Sequence, residues 1–167
     1  MTAITELETD RLLLRQWQPA DREPFAQLNA NPQVMEFFPN ILSREASDAM
    51  ADLIQALIEK QGWDLWAVEI KNTQQFIGYV GLHVPAYELP LNPCVEVGWR
   101  LNYEHWGKGY APEAALVALK FGFKSLNLTE IVSFTALGNV RSQRVMEKIG
   151  MQRSSETFHH PKVPLES

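Results

Sequence analysis

The residues best suited to chemistry are two glycines two positions apart, Gly107 and Gly109, in the run Trp106-Gly107-Lys108-Gly109-Tyr110-Ala111-Pro112. Lacking Cβ atoms, they let the backbone turn tightly and bring its N–H groups against an anion. Pro112 suits the first turn of a helix, where its missing N–H would have had no partner. The apolar run from Ala114 to Phe123 supplies that helix, whose positive end faces the loop, so a phosphate or pyrophosphate is the group this stretch can hold. The same pattern also fits a plain strand-to-helix turn.

Spacing excludes two other phosphate loops. A Walker loop needs four residues between its glycines followed by Gly-Lys-Ser/Thr, whereas Lys108 lies between glycines only two apart. A dinucleotide fingerprint needs glycine or alanine where Pro112 stands, and it follows the first strand of its fold. Nucleotide-dependent phosphotransfer is disfavoured further because no clear Mg²⁺ carboxylate motif is present.

Before the loop runs Val95 to Leu101, a strand by its alternation. Val95, Val97, Trp99 and Leu101 share an apolar face that reads as core, and Glu96, Gly98 and Arg100 share the other. After the loop helix, Asn139 and Ser142 lie three apart, which puts them on one helical face with Val145, Met146 and Ile149 continuing below. Asn139 can cap this helix and Ser142 can be an ordinary first-turn residue. Arg141, Arg144 and Lys148 are either a solvated helix face or a group able to reach a phosphate. The histidines, His83, His105, His159 and His160, have no metal-ligand spacing, so no metal is expected.

The elements that must position these residues alternate without repeats or low-complexity linkers. Arg11 to Gln16 reads as a first strand and Pro19 to Asn29 as a short helix opened by Asp21. Ser43 caps a helix that runs to about Lys60 and ends at Gly62, with Ala46, Met50, Leu53, Ile54, Leu57 and Ile58 at helical spacing. Trp66 to Ile70 and Phe76 to Leu82 form a hairpin across Asn72 and Thr73. Pro85, Pro90 and Pro93 keep the next connection irregular. The loop helix spans Ala111 to about Ser125, Glu130 to Ala136 reads as a strand, Val140 to Ile149 as a helix stopped by Gly150, and Met151 opens a last strand.

Composition bounds the answer. At 167 residues and 46% hydrophobic content, residues 1–167 form one domain with a single core. A formal charge of −5 argues against a general nucleic-acid binder and is compatible with a cationic partner such as an amine. The single cysteine, Cys94, excludes an internal disulfide framework and points to a reducing cytoplasm. It has no evident histidine partner for covalent catalysis. No apolar run approaches 18 residues and the first residues do not resemble a signal peptide, so neither membrane insertion nor export is expected.

With these residues in view, the chain resembles the GNAT acetyltransferases. The motif Arg/Gln-x-x-Gly-x-Gly/Ala matches over Trp106 to Ala111, departing only at its first position, where Trp106 stands. Leu7 to Trp17 and the segment Asn139 to Met151 are similar to the RimJ/RimL-type ribosomal-protein N-acetyltransferase branch, and the matches together span most of the chain. The resemblance implies a mixed α/β fold. Its mostly antiparallel, twisted sheet has about six strands, splays between the fourth and fifth, and is flanked by about four helices.

The resemblance also implies acetyl-CoA as cosubstrate and a primary amine as acceptor, with direct attack in a ternary complex. Trp106, Gly107, Lys108, Gly109, Tyr110 and Ala111 would hold the pyrophosphate, backbone around Trp99, Arg100 and Leu101 the pantetheine arm, and Asn139 the arm as well. A mid-strand N–H would lie near the thioester carbonyl. Ser142 would protonate the departing thiolate, and Arg144 would reach the ribose phosphate. Glu96 would take the acceptor's proton, although an ion pair or hydrogen bond with Arg100 or His83 explains it equally well. A CoA-binding sensor without catalysis is the alternative from another class.

By this resemblance the acceptor would be a protein N-terminal α-amino group or a small-molecule amine. Phe37, Phe38, Trp63, Trp66, Tyr87 and Glu88 are candidates for its pocket, although ordinary core or loop packing is the better explanation of each. Relatives of this branch continue past a segment like His160-Pro161 with a further strand. This chain is therefore expected to lack that last strand and to expose an edge, as a monomer or a homodimer.

Overall fold

A computed structural model of the chain describes residues 3–85, 94–136 and 138–152. Its centre is a five-stranded sheet in the order β1-β2-β3-β4-β5, every ladder antiparallel. The strands are β1 (Leu7–Glu8), β2 (Leu12–Arg15), β3 (Leu65–Ile70), β4 (Gln75–His83) and β5 (Glu96–Leu101). The helices are α1 (Arg22–Asn29), α2 (Arg44–Gln61), α3 (Tyr110–Lys124) and α4 (Val140–Lys148). Among the described residues no helix is long and apolar enough to cross a membrane.

β3 and β4 are buried almost without interruption, Trp66, Ala67, Val68, Ile77, Val80 and Leu82 all being inaccessible. Such runs follow when both faces of a sheet are covered. α1 and α2 cover one face, where the Phe25 ring sits 6.1 Å from Tyr79. α3 covers the other, with Phe121 5.5 Å from Trp66 and Gly122 close against Leu82. α2 begins and ends where capping chemistry dictates. Ser43 Oγ accepts from the Ala46 N–H at 3.1 Å, and Gly62, at φ 89°, closes the last turn.

Four expectations change. The opening strand is shorter than read and is preceded by β1, to which Thr9 and Leu12 turn it. The helix expected from Pro19 is a 3₁₀ turn over Pro19–Asp21 followed by α1. The Asp21 carboxylate accepts from the Gln18 N–H at 2.8 Å and from Arg15 at 2.8 and 3.0 Å, which fixes the turn.

The strand expected over Glu130 to Ala136 forms only one parallel bridge, Val132 with Glu96, so the described sheet has five strands where about six were expected. Val97 N–H reaches the Val132 carbonyl at 2.8 Å and Val132 N–H the Val95 carbonyl at 3.0 Å, after which the segments part. Beyond that point Trp99 of β5 reaches α4 rather than a paired strand. The parting thus falls between β5 and the segment around Val132, the fourth and fifth strands as read from the sequence, while β4 and β5 pair along all of β5. Met151 and Gln152 are not in a strand, and 153–167, with His159 and His160, lie outside the described residues.

Candidate active site

A 3₁₀ turn at Tyr103–His105 carries the chain from β5 into the glycine loop. Gly107 and Gly109 adopt φ of 76° and 82°, the left-handed region where a side chain is strained. A Cβ on Gly107 would meet nothing within 4 Å, so backbone conformation rather than packing calls for glycine there. Gly109 caps α3, and the N–H groups of the first turn have no carbonyl one turn back. Gly107, Lys108 and Gly109 are exposed. Exposed glycine backbone, a helix N-terminus and a lysine suit a pyrophosphate.

Sequence reading missed what braces this loop. Arg11 Nε lies 2.8 Å from Glu113 Oε1, its guanidinium 4.4 Å from the Tyr110 ring, and its Nη2 3.4 Å from where a Cβ on Gly109 would stand. The Thr9 hydroxyl and the Arg11 N–H also donate to Glu113. Burial alone would raise the Glu113 carboxyl, but these bonds outweigh it and hold its pKa below the ordinary value. The signal was present. An acidic residue in the first turn of an anion-binding helix repels the anion unless a cation offsets it.

Trp106, the departure from the motif, is a junction. Its indole N–H donates to the Leu101 carbonyl at 2.9 Å, Tyr103 packs 5.0 Å away, and Arg141 lies 4.5 Å over the ring. Arg141 thus reaches the loop from α4, whereas Arg144 and Lys148 are exposed further along that helix.

The edge of β5 comes next. Asn102 N–H bonds the Ile77 carbonyl at 2.8 Å, so in this ladder the amides of Glu96, Gly98 and Arg100 face β4. Those of Val97, Trp99 and Leu101 face outward. Val132 and Ser133 occupy Val97, and Trp106 takes the Leu101 carbonyl. The outward N–H of Trp99 therefore sits in the middle of the splay. The Trp99 indole N–H donates to Ser142 Oγ at 3.3 Å, and Asn139 caps α4 by accepting from the Ser142 N–H at 3.2 Å. A hydroxyl that accepts from an indole keeps its own hydrogen to donate.

On the opposite face of β5, Glu96 pairs across the ladder with His83. His83 Nδ1 lies 3.0 Å from Asp64, whose carboxylate also accepts from the Leu65 N–H at 2.8 Å and is 1% exposed. Sequence reading did not find Asp64. Burial pushes the Glu96 carboxyl up; His83 pulls it down, Asp64 adds to the rise, and it ends above its ordinary value. For His83, burial works downward, but its bond and charge pairing with Asp64, together with Glu96, raise it. Burial and the charges of Glu96 and Glu130 raise the Cys94 thiol, so it is a poor nucleophile.

Arg100, expected at the cofactor arm, turns its side chain to the α1 and α2 face, where Nη1 donates to Asn29 Oδ1 at 2.9 Å. Trp66 is core, its indole N–H bonded to the Thr5 carbonyl. Phe37 and Phe38 are exposed and Trp63 is half-buried. Tyr87 and Glu88 lie outside the described residues.

A glycine loop at a helix N-terminus, a sheet edge that parts beyond Val97, and a carboxyl and a hydroxyl flanking the two faces of β5 suit a group-transfer enzyme working on a phosphate-bearing acyl carrier. The chain belongs to the GNAT family, whose acetyltransferase (GNAT) domain model matches residues 11–152, and it is an acetyl-CoA-dependent acyltransferase. It is 34% identical to YkkB of Bacillus subtilis over 92% of this chain and 89% of that one. It is 31% identical to YoaA of the same organism, an N-acetyltransferase by name, over 88% and 82%. An acetyltransferase structure from Agrobacterium tumefaciens is 28% identical and superposes with a TM-score of 0.80, covering 97% of this chain and 92% of that one.

Proposed function

We propose that the chain transfers the acetyl group of acetyl-CoA to a primary amine by direct attack in a ternary complex. The acceptor is a protein N-terminal α-amino group or a small-molecule amine. The observation that carries this reading is the placement of Glu96 and Ser142 on opposite sides of one splayed strand, with Ser142 tied to that strand through Trp99. A base and an acid on either side of the open edge suit a reaction in which an amine loses a proton on one face and a thiolate gains one on the other.

The loop from Trp106 to Ala111, with Arg141 above it, would hold the pyrophosphate, and the outward edge at Trp99 the pantetheine arm. Acetyl-CoA, when bound, supplies the activated acyl group. Glu96, kept basic enough by burial, takes the proton that an ammonium must lose before it can attack. The outward backbone N–H of Trp99 would stabilise oxyanion charge on the thioester carbonyl. Ser142 keeps its hydrogen for the leaving sulfur. The likeness of Leu7 to Trp17 and Asn139 to Met151 to the RimJ/RimL type favours an α-amino group.

Calorimetric titration with acetyl-CoA, CoA and ATP, followed by thiol release against amines and N-terminal peptides, tests this. Binding of both CoA species without ATP, together with amine-dependent thiol release, is expected. Tight CoA binding with no turnover on any amine would instead make the chain a sensor.

A further inference from the structure

Two arginines of this chain are buried alike and are surrounded differently. Arg15, 5% exposed, has Asp21 and Glu69 each at 2.8 Å. Arg100, 8% exposed, has no carboxylate within ion-pair distance among the described residues. Its Nη1 donates to Asn29 Oδ1 at 2.9 Å and approaches Met50 Sδ at 3.7 Å, while Nε is buried with no partner. The guanidinium carbon lies 4.3 Å from the Phe38 ring centroid and 5.3 Å from that of Tyr79. Stacking on aromatic faces offsets part of the desolvation of a cation. It does not replace a counter-ion, and a guanidinium cannot shed its proton to escape.

Asn29 holds this cation in place. It is inaccessible, donates through Nδ2 to Ser47 Oγ at 3.0 Å, and so presents Oδ1 to Arg100. The geometry leads back to the site. Glu96, Gly98 and Arg100 share one face of β5, and Gly98 stands opposite Gly81 of β4. A Cβ on Gly98 would meet only Leu65 Cδ2 at an ordinary 3.8 Å, so no packing demand requires glycine there, and the floor between Glu96 and Arg100 is bare backbone. Glu96 and Arg100 stand four residues apart on β5, roughly 13 Å along a strand, with Gly98 midway. An acceptor that engages both must carry its two charged groups well apart.

We propose that the acceptor is an amine that also bears a carboxylate, and that the Arg100 guanidinium receives this carboxylate while Glu96 attends the amine. This deepens the transfer reading above and rests on it. The carboxylate can belong to a free ω-amino acid or to an acidic side chain near a peptide N-terminus, and the assay separates the two.

Thiol release is measured on matched acceptors differing only in charge. One arm compares free ω-amino acids with their carboxamides, and the other compares hexapeptides bearing Asp or Glu at the second or third position with their Asn or Gln counterparts. The acid member of one arm is expected to be favoured about 10- to 100-fold in kcat/KM, the range of a charge-assisted bidentate pair. Arg100→Met should bring that ratio to about one. Asn29→Asp, which keeps the guanidinium and places a carboxylate against it from within, should do the same should Arg100→Met fail to fold. Equal rates for acid and amide in the wild-type chain would overturn the proposal while leaving acetyl transfer intact. Absence of turnover on every acceptor would defeat the transfer reading instead. The same pairs titrated into protein saturated with CoA then decide the anion seat alone: selective binding of the acid, lost in Asn29→Asp, upholds it, and equal or absent binding of both members overturns it.

Discussion

Replacing Ser142 with alanine separates proton donation from architecture, because its side chain and its backbone do different work. Asn139 caps α4 through the Ser142 N–H, so the cap survives the substitution. Two things are lost: the hydroxyl hydrogen and the acceptor of the Trp99 indole N–H at 3.3 Å. Trp99 is half-buried, so an unpaired indole N–H should cost about 1 kcal/mol, or about 2–4 °C in Tm for a domain of this size. Loss of a positioned general acid should lower kcat by about 10²–10⁴-fold with the KM for acetyl-CoA nearly unchanged. The double variant Ser142→Ala/Trp99→Phe removes both members of the bond and should recover much of the lost Tm without recovering kcat. Calorimetry and steady-state thiol release on the same samples read both quantities. A kcat that returns with Trp99→Phe, or a drop of less than tenfold in the single variant, would refute the assignment of Ser142 as proton donor.

Glu96→Gln should lower kcat/KM by about 10²–10⁴-fold near neutral pH and flatten its acid limb, as pH–rate profiles of the two proteins would reveal. A base whose pKa is raised stays protonated to higher pH, so wild-type activity should fall as pH drops through that raised value. His83→Gln removes the one neighbour that lowers the Glu96 pKa while Asp64 still raises it, so the acid limb should move to higher pH. Gly107→Ala meets no steric obstacle and should cost only the left-handed backbone strain, about 1–2 kcal/mol in chemical denaturation, along with a weaker CoA titration. Arg15→Met strips Asp21, 2% exposed, of its guanidinium partner and should destabilise by about 3–5 kcal/mol in urea unfolding.

What could be read from the chain was local. Gly107 and Gly109 announce left-handed backbone by being glycine, Ser43 and Gly62 bracket α2 by their capping chemistry, and the alternation from Val95 to Leu101 separates Glu96 from Trp99. Asn139 and Ser142 stand together because helical spacing puts them together. What escaped depends on register. Asp64 meets His83 only because β3 and β4 pair so that Leu65 opposes Gly81, and a shift of one residue would turn His83 to the other face. Arg100 meets Asn29 only once α1 packs on the sheet, 71 positions away in sequence. The segment from Glu130 to Ala136 has strand-like residues, yet pairing depends on a partner edge, and β5 turns Trp99 toward α4 beyond Val97. Local propensity carries no information about where a neighbouring edge ends.

The tie between Thr9, Arg11 and Glu113 has a consequence for the order in which this molecule assembles. Its partners stand 104 and 102 positions apart, so the loop is braced by the turn between β1 and β2 rather than by its own neighbours. Contacts of such separation form after the intervening chain has closed, because the closure entropy must be met first. The sheet is therefore expected to collapse around Trp66, Val80 and Leu82 before the glycine loop is braced. Ligand occupancy at the loop should in turn slow amide exchange at Thr9 to Leu12, far from the loop along the chain yet joined to its first helical turn.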